Sequence, residues 1–235
     1  MPVTLFRNLS EKDKSSAVEK LIEGSTASQD FFMMVVLAML TATLGLLLDS
    51  VAVIIGSMLI APVLYPLLSL SMGITMNDMK LISRSTKTLL VSVGLGIGAS
   101  VVATLLFSSQ YEGFSEQLLA ISQPTLIYAG IAMIAGLAAS FAYAKPHLNE
   151  TLPGVAVAVA LIPPLAAVGI GLAHLDIQLV TGATLLFLIN VIGIVFVGMF
   201  TFSLMDFYVK RNVADKKIST EDRKLKEEIK KASSE

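Results

Sequence analysis

Six stretches of this chain contain no Asp, Glu, Lys, Arg or His: Phe31–Leu48, Val51–Ile74, Thr88–Ser108, Thr125–Ala144, Pro153–Ala173 and Leu179–Met205. Each is 18 to 27 residues long, and about 20 apolar residues in helical form cross a hydrocarbon core. No other feature limits the fold so strongly. In lipid the backbone amides must bond within the protein, and a helix does this without a partner strand. Composition agrees, with 54% hydrophobic and 15% charged residues, against about 25% charged in a soluble domain. The expectation is an all-α polytopic membrane protein with six transmembrane helices. The first apolar run starts only at Phe31, behind a charged stretch, so no cleavable signal peptide is expected.

Charge sets the orientation. If the six spans alternate, all 17 Lys and Arg fall on one side, while the other side holds Asp49, Glu112, Glu116 and Asp176 and nothing basic. Lys and Arg stay on the cytoplasmic side, which predicts a multi-pass protein of the cell membrane with both termini cytoplasmic. Span two reads as a full crossing, because a re-entrant hairpin would move Lys80, Arg84 and Lys87 outside. Five regions follow: an N-terminal amphipathic helix and linker (1–29), a first transmembrane repeat (30–108), an extracytoplasmic loop (109–124), a second repeat (125–205) and a basic cytoplasmic tail (206–235). Ser10 and Asp13 resemble a capping box for the first helix, which Gly24 would end. In the tail a helix is expected after Thr220, either solvated or held on anionic lipid by Lys210, Arg211, Lys216 and Lys217. Tyr111, Tyr128, Tyr143 and Tyr208 lie near span ends as interfacial anchors.

The two halves resemble each other. Leu59-Ile60-Ala61-Pro62 can be set on Leu161-Ile162-Pro163-Pro164. After a four-residue gap Gly73 falls on Gly171, Asp78 on Asp176, Leu81 on Leu179, Leu90 on Leu188 and Val93 on Val191. Three spans per half is an odd number, so the halves are expected to be inverted in the membrane, as in many transporters and some channels. Pro62 and Pro163 come 11 and 10 residues into spans two and five. Proline lacks an N–H and crowds the carbonyl four residues back. A single membrane proline is most often only a kink; a symmetric pair, reinforced by Pro66 and Pro164, predicts that helices two and five are both broken near mid-membrane.

Candidate path residues follow. No ionisable group lies well inside a span, unlike proton relays and voltage sensors. That leaves Ser57, Pro62, Tyr65, Pro66 and Ser69 around the first break, and Pro163 and Pro164 at the second. Asn190 lies near the middle of span six, with Ser92 as its counterpart on span three; its amide has either another helix or a ligand as partner. Asp49 and Glu150 precede the proline-bearing spans, as helix caps or as mouths that attract cations. His147 and His174 fall on opposite sides, and Cys is absent, so neither a metal site nor a cofactor is expected. The chain also lacks H-E-x-x-H and G-x-S-x-G, so no enzyme is expected, and no nucleic-acid partner. Gly94-x-x-x-Gly98 and the small residues of "AGLAAS" serve either packing within the chain or a homo-oligomer, the latter being the expectation.

Three stretches carry a family resemblance: "DSVAVIIGSMLIAPVLYPLLSLSMG" (Asp49–Gly73), "LPGVAVAVALIPPLAAVGIGLA" (Leu152–Ala173) and "LLFLINVIGI" (Leu185–Ile194). Over roughly residues 25 to 205 the chain resembles the prokaryotic hydrophobic-domain membrane proteins grouped as domain of unknown function 389. The resemblance implies a prokaryotic membrane protein of this architecture and brings no substrate. The repeat and its prolines therefore carry the functional expectation: a transporter or channel for a small solute or ion. A membrane scaffold or signalling protein acting through its cytoplasmic tails is the alternative.

Overall fold

The computed structural model describes residues 9–107, 115–145, 148 and 151–232. Among them every element is helical. The order is α1 (Glu11–Gly24), α2 (Gln29–Leu47), α3 (Val51–Ile60), α4 (Leu64–Met76), α5 (Met79–Phe107), α6 (Glu116–Ser122), α7 (Leu126–Ala144), α8 (Thr151–His174) and α9 (Ile177–Leu204). A 3-10 turn, Phe207–Lys210, then leads into α10 (Arg211–Ala232). Within α2, α5, α7, α8 and α9 runs a segment long and apolar enough to cross a membrane, and the bent pair α3–α4 adds a sixth crossing when counted as one span. The protein is an all-α polytopic membrane protein.

One helix is the core. In α8, 82% of an 18-residue window is buried, against 28–44% in the other four long helices. It packs against α2, α3, α5, α7 and α9. Small and hydroxyl residues make this possible. Gly169 lies so close to Ser100 of α5 that any side chain there would collide with it. The Ser100 hydroxyl donates to the Ala166 carbonyl of α8 at 2.8 Å and pairs with Thr43 of α2 at 2.8 Å. Hydroxyls that bond across helices replace the charge pairs a soluble core would tolerate more easily.

Three helix junctions share one geometry. Gly45, Gly73 and Gly171 each stand four residues before a left-handed residue: Asp49 (φ 51°), Asn77 (φ 51°) and Leu175 (φ 57°). The following N–H, from Ser50, Asp78 or Asp176, returns to the glycine carbonyl at 2.9 Å in all three. The left-handed residue donates to the carbonyl of Leu46, Ile74 or Leu172 at 3.3, 3.1 and 3.2 Å. This is the Schellman arrangement, which satisfies the last carbonyls of the outgoing helix. The next helix starts at once and folds back so tightly that a Cβ on each glycine would lie 3.0–3.1 Å from the backbone nitrogen of Ile54, Ile82 or Val180. Asp78 and Asp176 then cap α5 and α9, accepting from Leu81 and Leu179 at 3.2 and 2.8 Å. Asp49 does not cap α3 as the sequence predicts. It occupies the left-handed position that ends α2, which leaves Ser50 as the N-cap of the next helix, without a side-chain cap bond.

The first predicted break is present and the second is not. Between α3 and α4 the chain bends by 54°. Ala61, directly before Pro62, adopts an extended conformation (φ −73°, ψ 119°), as the proline ring demands of its predecessor. Pro66 falls in the first turn of α4, where a missing N–H leaves no intrahelical bond unmade. In contrast α8 stays helical through Pro163 and Pro164. A substitute donor helps to hold it. Pro164 offers no N–H to the carbonyl of Ala160, and the side-chain amide of Asn190 donates to that carbonyl at 2.7 Å. Dense packing adds to this, since Leu161, Ile162 and Leu165 are all buried.

Both terminal helices pack on one face of the bundle. The Ser10–Asp13 capping box forms and α1 ends at Gly24. Helix α10 starts at Arg211, ahead of the Thr220 start read from sequence, because Ala214 and Ile218 are buried with the apolar face of α1 in one cluster.

Candidate functional site

On the face opposite the terminal helices lies a cavity of ≈ 340 Å³, within the range of small-molecule sites. Its walls come from α3 (Val51, Ile54, Ile55, Met58), α8 (Ala160, Pro163, Pro164) and α9 (Leu186, Asn190), with Leu46 and Tyr128 beside them. Helix α6 closes one side through Gln117, Ala120 and Ile121. It approaches α9 closely because Gly182 leaves room for the backbone of Ser122. Among the described residues no charged side chain lines the cavity. Asn190 is 1% exposed, and with its nitrogen committed to Ala160 its oxygen has no hydrogen-bond partner.

A second gap, of only ≈ 20 Å³, lies deeper in the bundle. It is apolar but for Ser92, and is bounded by Val63 just before α4, Leu67 of α4, Leu89, Ser92 and Val93 of α5, Leu161, Ile162 and Leu165 of α8, and Phe187 and Val191 of α9. Helix α8 therefore separates the two spaces: Ala160, Pro163 and Pro164 face the cavity, while Leu161, Ile162 and Leu165 face the gap. The bend of span two stands at the same divide, with Met58 on the cavity side and Val63 on the gap side.

Of the sequence-predicted residues, the structure brings Pro163, Pro164 and Asn190 together at the cavity and puts Ser92 at the gap. The others are engaged elsewhere. Ser57 is buried and bonds its own helix at Ile54, 2.6 Å. Pro62 is half-buried and Pro66 buried at the bend. Tyr65 packs edge-on to Tyr143, centroids 5.5 Å apart, and against Gly24. Ser69 donates to the Leu21 carbonyl at 2.9 Å, so it holds α1 rather than a path. Glu150, His147, Glu112 and Tyr111 lie outside the described residues. Among the described residues no cluster of metal-ligating side chains occurs. Sequence reasoning missed the contribution of α6, although Ser115, which caps it, and buried Leu118 and Ile121 at helical spacing were signals of a short amphipathic helix.

The opposite face is closed by the end of α1. Thr88 donates to the Ser25 carbonyl at 3.3 Å, and Arg84 to Thr26 at 2.9 Å. Helix α10 and the turn before it strap this helix down: Lys210 of the turn meets Glu11 at 2.8 Å and Lys217 meets Glu23 at 3.0 Å, while Asp215 and Asp222 reach Lys80 and Arg84 of α5, each at 3.1 Å. The bond from Lys210 holds the Glu11 carboxyl below its ordinary value. Burial works against the charge on Glu221, yet bonds from Lys224 and Lys217 leave its carboxyl lowered. Burial likewise opposes the charge on Lys217, and its bonds to Glu23 and Glu221 keep the ammonium raised. Of the four bases that the sequence left either solvated or on anionic lipid, Lys210 and Lys217 are thus committed within the chain.

Residues 58–196, from the end of α3 to α9, match the family described as domain of unknown function 389. The chain belongs to that family. The matched region holds the bend, Pro163 and Pro164 of α8, and Asn190, and leaves out α1 and α10. The chain is also 31% identical over 204 residues to an uncharacterised protein of Methanocaldococcus jannaschii, covering 82% of this chain and 62% of that relative. It therefore spans less than two-thirds of the relative's length. No solved structure matches the chain.

Proposed function

We propose that this protein carries a small solute or ion across the cell membrane, along a path between two inverted three-helix halves, α2–α5 and α7–α9, with both termini in the cytoplasm. One observation supports this most. Residues that the sequence repeat makes equivalent meet at the inner gap: Val63 with Leu165, Leu89 with Phe187, and Val93 with Val191. Equivalent positions meet where an axis of pseudo-symmetry passes, and transporters built from inverted repeats place their sites at that interface. The matched junctions at Gly73–Ile82 and Gly171–Val180 support the same repeat.

The two spaces differ in the way an alternating carrier requires. The cavity of ≈ 340 Å³ is open on one side of α8, and the gap of ≈ 20 Å³ on the other is collapsed. A rocking of the halves would exchange them. Gly94 and Gly98 belong to this proposal as a contact for a second copy, since both face outward from α5 with nothing within 4 Å.

The test is solute entry into proteoliposomes, followed by light scattering with potassium chloride, glycerol and butyramide as probes. Entry of at least one probe should exceed that into protein-free vesicles. Pro62→Ala combined with Pro163→Ala should slow it while helix content is kept. Wild-type rates from the double variant, or no excess entry for any probe, would contradict the proposal.

A further inference from the structure

We infer that the cavity takes an uncharged amphiphile, admitted from the bilayer, that presents an O–H or N–H donor to the side-chain oxygen of Asn190. This deepens the transport reading by giving the class of its substrate, and it rests on that reading for the cavity being the substrate's station. The lining fixes the charge of the ligand. With no ionised side chain among the described residues of the wall, an ion entering the cavity loses its hydration and meets no counter-charge there.

Asn190 fixes the polarity of the contact. Its nitrogen is held by Ala160, so its free atom is an acceptor, buried and unpartnered. A buried acceptor without a donor is unfavourable, and a ligand donor removes that penalty. Acceptor-only ligands do not. The body of the ligand follows from the rest of the wall, which apart from Gln117 and Tyr128 is apolar, with Leu46, Ile54, Met58, Pro163 and Leu186 in it. Val51 and Ile55, in the same wall, are also 51% and 46% exposed on the apolar outside of the bundle. The entrance, at the outer end of the bundle, therefore also borders the membrane phase, where an amphiphile is concentrated.

The chain contains no Trp, so indole fluorescence can be read against it without background. Binding of indole and of 1-methylindole, which lacks the N–H, is compared on the full-length protein in detergent. Indole should bind saturably and 1-methylindole at least about tenfold more weakly, as expected for a site built around one hydrogen bond. Indole-3-acetate, which is charged, should bind more weakly still. Ala120→Phe fills the cavity from α6 without touching Asn190 and should abolish binding; Ile55→Phe does the same from α3 should the first variant not fold. Equal binding of indole and 1-methylindole, persistence in the filled variants, or no saturable binding would overturn the inference. Donor-dependent binding with no solute entry into proteoliposomes would keep the site and remove transport. Solute entry without donor-dependent binding would do the reverse.

Discussion

Because Asn190 supplies Ala160 with the donor that Pro164 lacks, Asn190→Ala should destabilise the protein by about 1–3 kcal/mol, the cost of a buried unsatisfied carbonyl. The same substitution made in a Pro164→Ala background should cost less than about 0.5 kcal/mol, since the restored backbone N–H then serves Ala160. Such non-additivity is the signature of two groups sharing one partner. Reversible unfolding of the four proteins in bicelles measures it, and equal costs in both backgrounds would mean that the amide does not replace the N–H. This residue shows where sequence reading stopped. A proline and its missing bond are local and legible. The donor that repairs it lies 26 residues away, at position 190 against 164, and that pairing emerges only from packing. Asn190 was identified as a polar group in a span, and both of its expected partners, helix and ligand, were left open.

At the scale of the element, α10 is the clearest case of structure that sequence understated. Its Lys and Glu at helical spacing read as a solvated surface, yet Lys217 closes on α1, and Asp215 and Asp222 close on α5. Exposed pairs of this kind are weak and are screened by salt. Raising ionic strength from 0.1 to 1 M shortens the Debye length from about 10 to about 3 Å and should release α10, seen as faster tryptic cleavage after Lys216 and Lys217. Acid should act alike. The carboxyls of Glu11 and Glu221 are held below 4.5, so their contribution is present above that pH and is lost as pH falls through their depressed values. Lys217 is raised above 10.5, so its contribution is present below that pH and fades as pH rises through its elevated value. Docking is thus expected across the interval between them, with cleavage unchanged by salt or acid as the contrary outcome. The junctions are the opposite case. Gly73 and Asp78, and Gly171 and Asp176, were visible as a repeat, while the left-handed residue between them was not, because Asn77 and Leu175 share no chemistry.

For the whole molecule, the all-helical polytopic character and the common face of the two terminal helices were legible, since an apolar run of 18 or more residues has few physical options; the spans number five, or six with the bent pair counted as one. The bend at Pro62 was legible too, because proline constrains its own and its predecessor's backbone. What the pattern could not place was the cavity, whose walls draw on α6 as well as on the spans. The whole-molecule expectation is that α8 divides a space reachable from outside from one reachable from the cytoplasm. The chain contains no Cys, so single cysteines report access directly. Ala160→Cys, on the cavity side, and Val63→Cys, on the gap side, are treated in sealed membranes with an impermeant thiol reagent from either face. The expected result is that Ala160→Cys reacts from the outer face, and Val63→Cys only from the cytoplasmic face and faster when solute is present. Reaction of neither position from its own face would mean that the bundle is dry throughout and that no path runs along α8.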